Sequence, residues 1–432
     1  MGFRLRWLLL VGLAFVSGQP ARGEGVVPQL RVGLLRQREP IVFSGPAGVT
    51  VRGAGDEDVI AWVPPGQAWQ VAAAGERLAL LDASGAEVDA RQRVLRLLPP
   101  EGGLTTLHGM AGHWDRITER DYRGVIEVRR AADLLVAINH LDIETYLRGV
   151  ISSEMPADYP VEALKAQAVA ARGQALIKAG RHRAEGFDLC ATQHCQVYGG
   201  ATSEDARTDR AGASTWGEVL VYEGRLADTL YASTCGGHTA DNQDYWPGSS
   251  PVPYLQGVPD FEEGSGVGLR FPLSKEQLDS YLKYAPRVNC SQPRYGRAEK
   301  LRWWSVVRRD DLAKTLRESV GDFGELLDVR IGERADSGLV LRLDVVGTKR
   351  LVTVRGGGEI RRSLGGLNSA TFAVEPIMGE NLFPVAYIIY GAGWGHQIGM
   401  CQVGAAGLAA EGRDYRRILT KYYRGCEIAR RY

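Results

Sequence analysis

Between Asp142 and Arg172 the chain carries two helix-forming stretches separated by a proline-marked break, and one carboxylate, Glu154, falls at the junction. Asp142-Ile-Glu-Thr-Tyr-Leu-Arg-Gly-Val-Ile-Ser-Ser places Asp142 as N-cap and gathers Tyr146, Leu147, Val150 and Ile151 on one apolar face. Pro156 and Pro160 forbid a smooth continuation, because proline lacks an amide hydrogen and clashes with the preceding turn. Pro160 suits the first turn of a new helix. That second helix is rich in alanine (163, 166, 168, 170, 171, 175), so its backbone can approach a neighbour closely. The pattern predicts Glu154 at a helix end beside a tightly packed support, the fixed position a general acid needs. The plainer reading is a helix cap, or a surface pair with Arg172 or Lys165. Asp158, just before Pro160, reads as an N-cap.

Around this pair the chain alternates between strand-like and helix-like runs. Leu30-Arg-Val-Gly-Leu-Leu, Ile41-Val-Phe, Val49-Thr-Val-Arg and Leu78-Ala-Leu-Leu, split by Gly, Pro and Asp, predict a β-rich region over residues 28–115. Tyr122–Val128 and Leu134–Ile138 form a hairpin that leads into the Asp142 helix. Residues 262–385 read as an insertion or subdomain with helices at Ser274–Leu282 and Arg309–Val320 and strands at Leu339–Val346 and Leu351–Val354. Tyr387–Tyr390 predicts a strand, and a helix follows from about Gln402. Mixed elements with hairpin-like runs indicate an α+β fold.

At the N-terminus, Arg4 and Arg6 precede the apolar run Trp7–Val16 and the small residues Ser17, Gly18, Ala21 and Gly23, the pattern of a signal peptide over 1–23. The run is shorter than the roughly 20 residues that span a bilayer, so the expectation is export to the periplasm, cell envelope or exterior rather than anchoring. A formal net charge of +1 gives no electrostatic case for nucleic acid.

Six cysteines (190, 195, 235, 290, 401, 426) allow disulfides in an oxidising compartment without making a dense scaffold. Cys190-Ala-Thr-Gln-His194-Cys195 offers two thiolates and an imidazole, donors that suit zinc, with His182, His194 or His238 to complete the set. A Cys190–Cys195 disulfide in an exported loop is the alternative, and a Cys195–Cys235 or Cys401–Cys426 pairing is a further one. Cys290 has no obvious local partner.

Two glycine-rich turns also carry polar side chains. Ser233-Thr-Cys-Gly236-Gly237-His238 ends a strand, and Ser233 and His238 there are candidate hydrogen-bond donors to a saccharide. Gly393-Trp394-Gly395-His396-Gln-Ile-Gly399 offers an indole that can stack on a sugar ring and an imidazole beside it. Neither is a nucleophile elbow or a dinucleotide fingerprint. Tyr198 and Tyr254 are candidate groove walls, although tyrosines of this kind are mostly packing residues.

Taken together, Gly149-Val-Ile-Ser-Ser-Glu154-Met-Pro156, Gln196-Val-Tyr198-Gly-Gly, Ser233-Thr-Cys-Gly-Gly-His238-Thr-Ala and Gly393-Trp-Gly-His396-Gln-Ile-Gly-Met-Cys-Gln402 resemble the SpoIID/LytB family. That family is named for a sporulation-associated lytic transglycosylase and for an amidase-enhancing protein. The resemblance runs from about residue 120 to 432. Ala171-Arg-Gly173-Gln174-Ala departs from the usual Ala-Arg-Thr-Tyr-Ala form, which bears on the groove beside the helix.

The resemblance implies a SpoIID-like domain of antiparallel strands and short helices that cleaves peptidoglycan glycan strands already stripped of stem peptides. Glu154 would protonate the leaving oxygen and then act as base, with the C6 hydroxyl of muramic acid closing a 1,6-anhydro ring. Arg172, Tyr198, Ser233, His238, Trp394 and His396 would contact substrate. Zinc near the site is implied for some members, here through Cys190, Cys195 and His194, though the acid–base chemistry itself needs no cofactor. The rivals are a non-catalytic activator of a cell-wall amidase and a zinc-dependent hydrolase.

Overall fold

The computed structural model describes residues 25–55, 58–110, 119–262 and 268–432, so the expected signal segment lies outside the described residues. Mixed helices and mostly antiparallel sheets make an α+β fold. A seven-stranded sheet runs in the order Leu189–Cys190, Gln29–Gln37, Leu134–Asp142, Val125–Ala131, Val94–Leu98, Val49–Arg52, Val59–Val63. A six-stranded sheet begins with Glu119–Tyr122 and Thr105–His108 and continues through Ile41–Ser44. Each sheet combines strands that precede residue 110 with strands that follow residue 118, so the β-rich N-terminal region shares its hydrogen-bonded ladders with the later chain.

The predicted hairpin is present, with Val125–Ala131 antiparallel to Leu134–Asp142. It delivers Asp142 to the start of helix α1 (Ile143–Glu154), where the carboxylate accepts from the Thr145 amide at 2.9 Å and the Thr145 hydroxyl at 2.7 Å. Tyr146, Leu147, Val150 and Ile151 are all buried. Helix α2 (Val161–Lys178) has Pro160 as its N-cap and no side-chain cap, so Asp158 does not take the capping role its position suggested.

The alanines of α2 explain its place. Ala168, Ala171 and Ala175 pack into the core under the N-terminal sheets, while Ala163, Ala166 and Ala170 pack into a second core with Tyr422 and Tyr423. A helix pressed from both sides needs small residues on both faces.

Two further small sheets follow later in the chain. Arg302–Arg308, Pro384–Ala392 and Phe372–Met378 form one three-stranded sheet, and Leu326–Arg334, Val340–Gly347 and Leu351–Arg355 form another. Trp303, Leu316, Phe323, Leu343, Phe372 and Tyr387 fill the core between them. The helices Lys275–Lys283, capped by Ser274, and Arg309–Val320 lie where the sequence predicts them. Strand Pro384–Ala392 runs into the Gly393 turn, where Trp394 bridges to Thr234. Among the described residues no helix is long and apolar enough to cross a membrane.

Candidate active site

Glu154 ends α1 on the floor of a groove of about 1410 Å³. Its Oε1 accepts the Val197 amide at 2.8 Å, and its backbone carbonyl accepts Gln402 Nε2 at 2.9 Å. Burial raises its pKa to about 7, against the opposing pull of the Val197 amide, Lys178 and the Tyr231 side chain. A carboxyl in that range holds a proton near neutral pH and can also release it. Neither alternative partner takes it. Lys165 pairs with Glu162 at 2.7 Å, and Arg172 is committed elsewhere.

The amide reaches Glu154 because α1 lies close against the segment Gln196–Gly200. Gly149 makes this possible: a Cβ there would lie 2.7 Å from the Tyr198 ring and 2.8 Å from the Gly200 carbonyl oxygen. Gly149→Ala should therefore cost about 1–3 kcal/mol of stability and slow turnover by pushing the Val197 amide away from Glu154. A denaturant melt and a rate measurement on the same preparation check both effects.

Ser233, Trp394 and His396 line the groove. Trp394 is half-buried, its backbone bridges to Thr234, and the Lys300 ammonium sits 5.3 Å from its ring centroid. His396 accepts the Ile398 amide on Nδ1 at 3.0 Å, and burial lowers its pKa to about 4 although a backbone hydrogen bond to Tyr231 opposes this. The Nδ1 contact ties the imidazole to its own turn. Tyr198 contributes to the wall but is 4% exposed, and its hydroxyl donates to Asn139 Oδ1 at 2.8 Å.

Two expected contacts lie elsewhere. Arg172 is 0% exposed: it pairs with both oxygens of Glu144 at 2.7 and 2.8 Å and donates to the Glu218 carbonyl. Its neighbours Gln174 and Lys178, one turn apart on the other face of α2, are the residues that reach the groove. His238 is turned away by Gly236 and Gly237, both at positive φ, and its Nδ1 meets the Thr239 carbonyl while its ring packs on Phe271. It joins neither the groove nor the Cys190 cluster.

Gly173 departs from the threonine of the family form for a spatial reason. Its missing Cβ leaves room for Thr229, whose Oγ1 would lie 2.6 Å away and which donates to the Ala170 carbonyl at 2.7 Å.

At the groove edge the parallel pairing of Leu189–Cys190 with Gln29–Gln37 holds Cys190 in place. His182, Cys190, His194 and Cys195 bring their donor atoms within 4.8 Å of one another. His194 Nδ1 lies 3.8 Å from Cys190 Sγ, 3.9 Å from Cys195 Sγ and 3.2 Å from His182 Nε2. His182 Nδ1 meets Glu185 at 2.6 Å, the outer-shell carboxylate that zinc-binding imidazoles commonly have. The six cysteines are free thiols, and Cys195 and Cys235 fall in separate clusters.

The stage II sporulation protein family model (SpoIID) matches residues 132–222, and a domain of unknown function matches 240–399. The chain is 30% identical to the amidase enhancer of Bacillus subtilis over 65% of its own length, spanning 40% of that relative. It is 26% identical to the stage II sporulation protein D of the same organism, covering 80% of this chain and 87% of that one. An uncharacterised protein of Brachyspira hyodysenteriae is 29% identical over 71% and 72% of the two chains. Residues 132–222 are thus a SpoIID segment, and the chain is similar to both the SpoIID and the amidase-enhancer proteins.

Several groove residues escaped sequence reasoning. Tyr231, on the two-residue strand Tyr231–Ala232 just before Ser233, contributes a hydrogen bond to Glu154 and accepts Gln196 Nε2 at 3.0 Å. Its nearness to the Ser233 motif is the signal that could have found it. Gln402 stands inside a recognised motif but contacts Glu154 from 248 residues away. Trp246, 40% exposed and 5.7 Å from the His396 ring, had no local signal beyond being an aromatic before a proline.

Proposed function

We propose that the protein is a lytic transglycosylase that cleaves peptide-stripped peptidoglycan glycan strands, with Glu154 as the single acid and base. The match to the SpoIID family and the similarity to an amidase enhancer support a cell-wall-related role. The observation that carries the finer reading is a carboxyl with a pKa near 7 on the floor of a groove large enough for several sugars. Glu154 protonates the glycosidic oxygen as the C–O bond breaks, and the resulting carboxylate takes the proton of the muramic C6 hydroxyl as it attacks the anomeric carbon. Atoms balance without an added water, so no second carboxylate is required.

The walls fit the substrate. Arg36, Arg120, Lys178, Lys300, Arg361 and Arg362 line the groove against Glu39 and Glu154. Stripping the peptide leaves each muramic acid a free lactyl carboxylate, which these cations can meet. Trp246 and Trp394 offer aromatic faces to the sugar rings.

Because the acid must be protonated to act, kcat/KM should fall about tenfold per pH unit above pH 7. A pH–rate profile on stripped strands tests this, and a flat profile to pH 9 would remove Glu154 from the acid role.

His182, Cys190, His194 and Cys195 form a donor set that fits a structural zinc. Four protein ligands close the tetrahedron and leave no position for a reactive water, which argues against the zinc-hydrolase reading. The second reading, a non-catalytic glycan-binding activator of a cell-wall amidase, is favoured by the relative named an amidase enhancer. Product analysis separates the two: an activator binds stripped strands and releases no fragments.

A further inference from the structure

A second cluster lies away from the groove. Cys235, Asp260, Cys290 and Cys401 are at most 1% exposed, and one donor atom from each lies within 4.8 Å of the others. Four segments distant in sequence bring them together: the turn after strand Tyr231–Ala232, the Asp260 loop, the turn Asn289–Ser291, and the strand Met400–Cys401.

Three observations point to a cation. First, the spacing matches a tetrahedral metal. Cys235 Sγ and Cys290 Sγ are 3.8 Å apart, and the edge of a tetrahedron with zinc–sulfur bonds of about 2.3 Å is about 3.8 Å. Second, backbone amides are aimed at sulfur. Cys401 Sγ accepts the Cys235 amide at 3.2 Å and the Gly404 amide at 3.3 Å, and Cys235 Sγ accepts the Gly237 amide at 3.4 Å. Such N–H groups, with the N-terminus of the helix Gln402–Ala410 behind Cys401, favour thiolate over thiol. Third, Asp260 is a fully buried carboxyl held by the Cys290 amide at 2.7 Å and the Tyr422 hydroxyl at 2.6 Å. A buried acid beside three sulfurs is costly unless a cation balances it.

We propose that Cys235, Cys290, Cys401 and Asp260 form a structural zinc site, separate from the groove-edge cluster. Binding displaces the protons of the three thiols and leaves no open position for substrate. The site pins one wall of the groove: Cys401 precedes Gln402, which holds the Glu154 carbonyl, and the Val403 amide donates to the Ser233 carbonyl at 3.1 Å.

The test is zinc content by elemental analysis, paired with intact mass after denaturing alkylation without reductant. In Cys190→Ser/Cys195→Ser, which removes the groove-edge cluster, one zinc per chain should remain and all four remaining thiols should alkylate after chelation. Zinc-edge X-ray absorption of that variant should show sulfur at about 2.3 Å with oxygen at about 2.0–2.2 Å. Adding Cys401→Ser should abolish the bound zinc; should that triple variant fail to fold, the absorption spectrum decides alone. A disulfide among Cys235, Cys290 and Cys401, or a folded, fully reduced double variant that takes up no added zinc, would overturn the proposal. Neither outcome depends on whether the protein cleaves glycan.

Discussion

Glu154→Gln should abolish cleavage of stripped glycan strands, lowering kcat by at least about 10²–10⁴-fold, while strand binding is retained. The amide keeps the shape and the Val197 hydrogen bond but has no proton to deliver to the glycosidic oxygen. The same substitution should stabilise the fold at alkaline pH. Burial raises the folded-state pKa of Glu154 from 4.5 to about 7, so the folded chain holds this proton more tightly than the unfolded chain. Stability therefore falls as pH rises through that window and is fully reduced above it, by about 3 kcal/mol. Glutamine escapes this cost. At pH 8 the variant should melt higher than the wild type, and by pH 4 the difference should vanish. Thermal melts across that range read the crossover. Equal pH dependence in the two proteins would mean that Glu154 is solvated and ordinary.

Arg172→Ala should have the largest effect on folding, a loss of about 3–5 kcal/mol, with little change in KM for whatever fraction remains folded. Removing the guanidinium strands Glu144 among partners that cannot balance its charge: the Gly217 amide at 3.2 Å and the Tyr432 hydroxyl at 2.6 Å. The Glu218 and Gly212 carbonyls lose their donor as well. Replacing both members, as Arg172→Met with Glu144→Leu, should recover much of the loss, because the desolvation cost of the pair goes with it. Denaturant midpoints of the single and double variants check this. A rise in KM without loss of stability would restore Arg172 to the substrate site.

What could be read from the sequence was mostly what local periodicity controls. The Asp142 cap, the buried face of α1, the small faces of α2 and the helix Arg309–Val320 depend on neighbours three or four residues away, and each was visible. Glu154 was visible because prolines and glycines mark its junction. The rest depends on where the chain returns. Arg172 stands in a recognised motif, yet the turn of α2 aims it at Glu144 while Gln174 and Lys178 meet the groove. The Gly236-Gly237 turn moves His238 to Phe271 although Ser233, five residues earlier, lines the groove. Cys290 had no partner nearby because its partners are 55 and 111 positions away. Nonlocal pairing leaves no period in a sequence.

The central claim is tested most directly by mass spectrometry of the fragments released from peptide-stripped and intact peptidoglycan by wild type and Glu154→Gln. The predicted result is 1,6-anhydromuramyl ends from the wild type alone, with stripped strands cut faster. Reducing-end fragments would show that water, not the C6 hydroxyl, is the nucleophile. Binding by both proteins with no fragments from either would contradict the enzymatic reading and leave the amidase activator in its place.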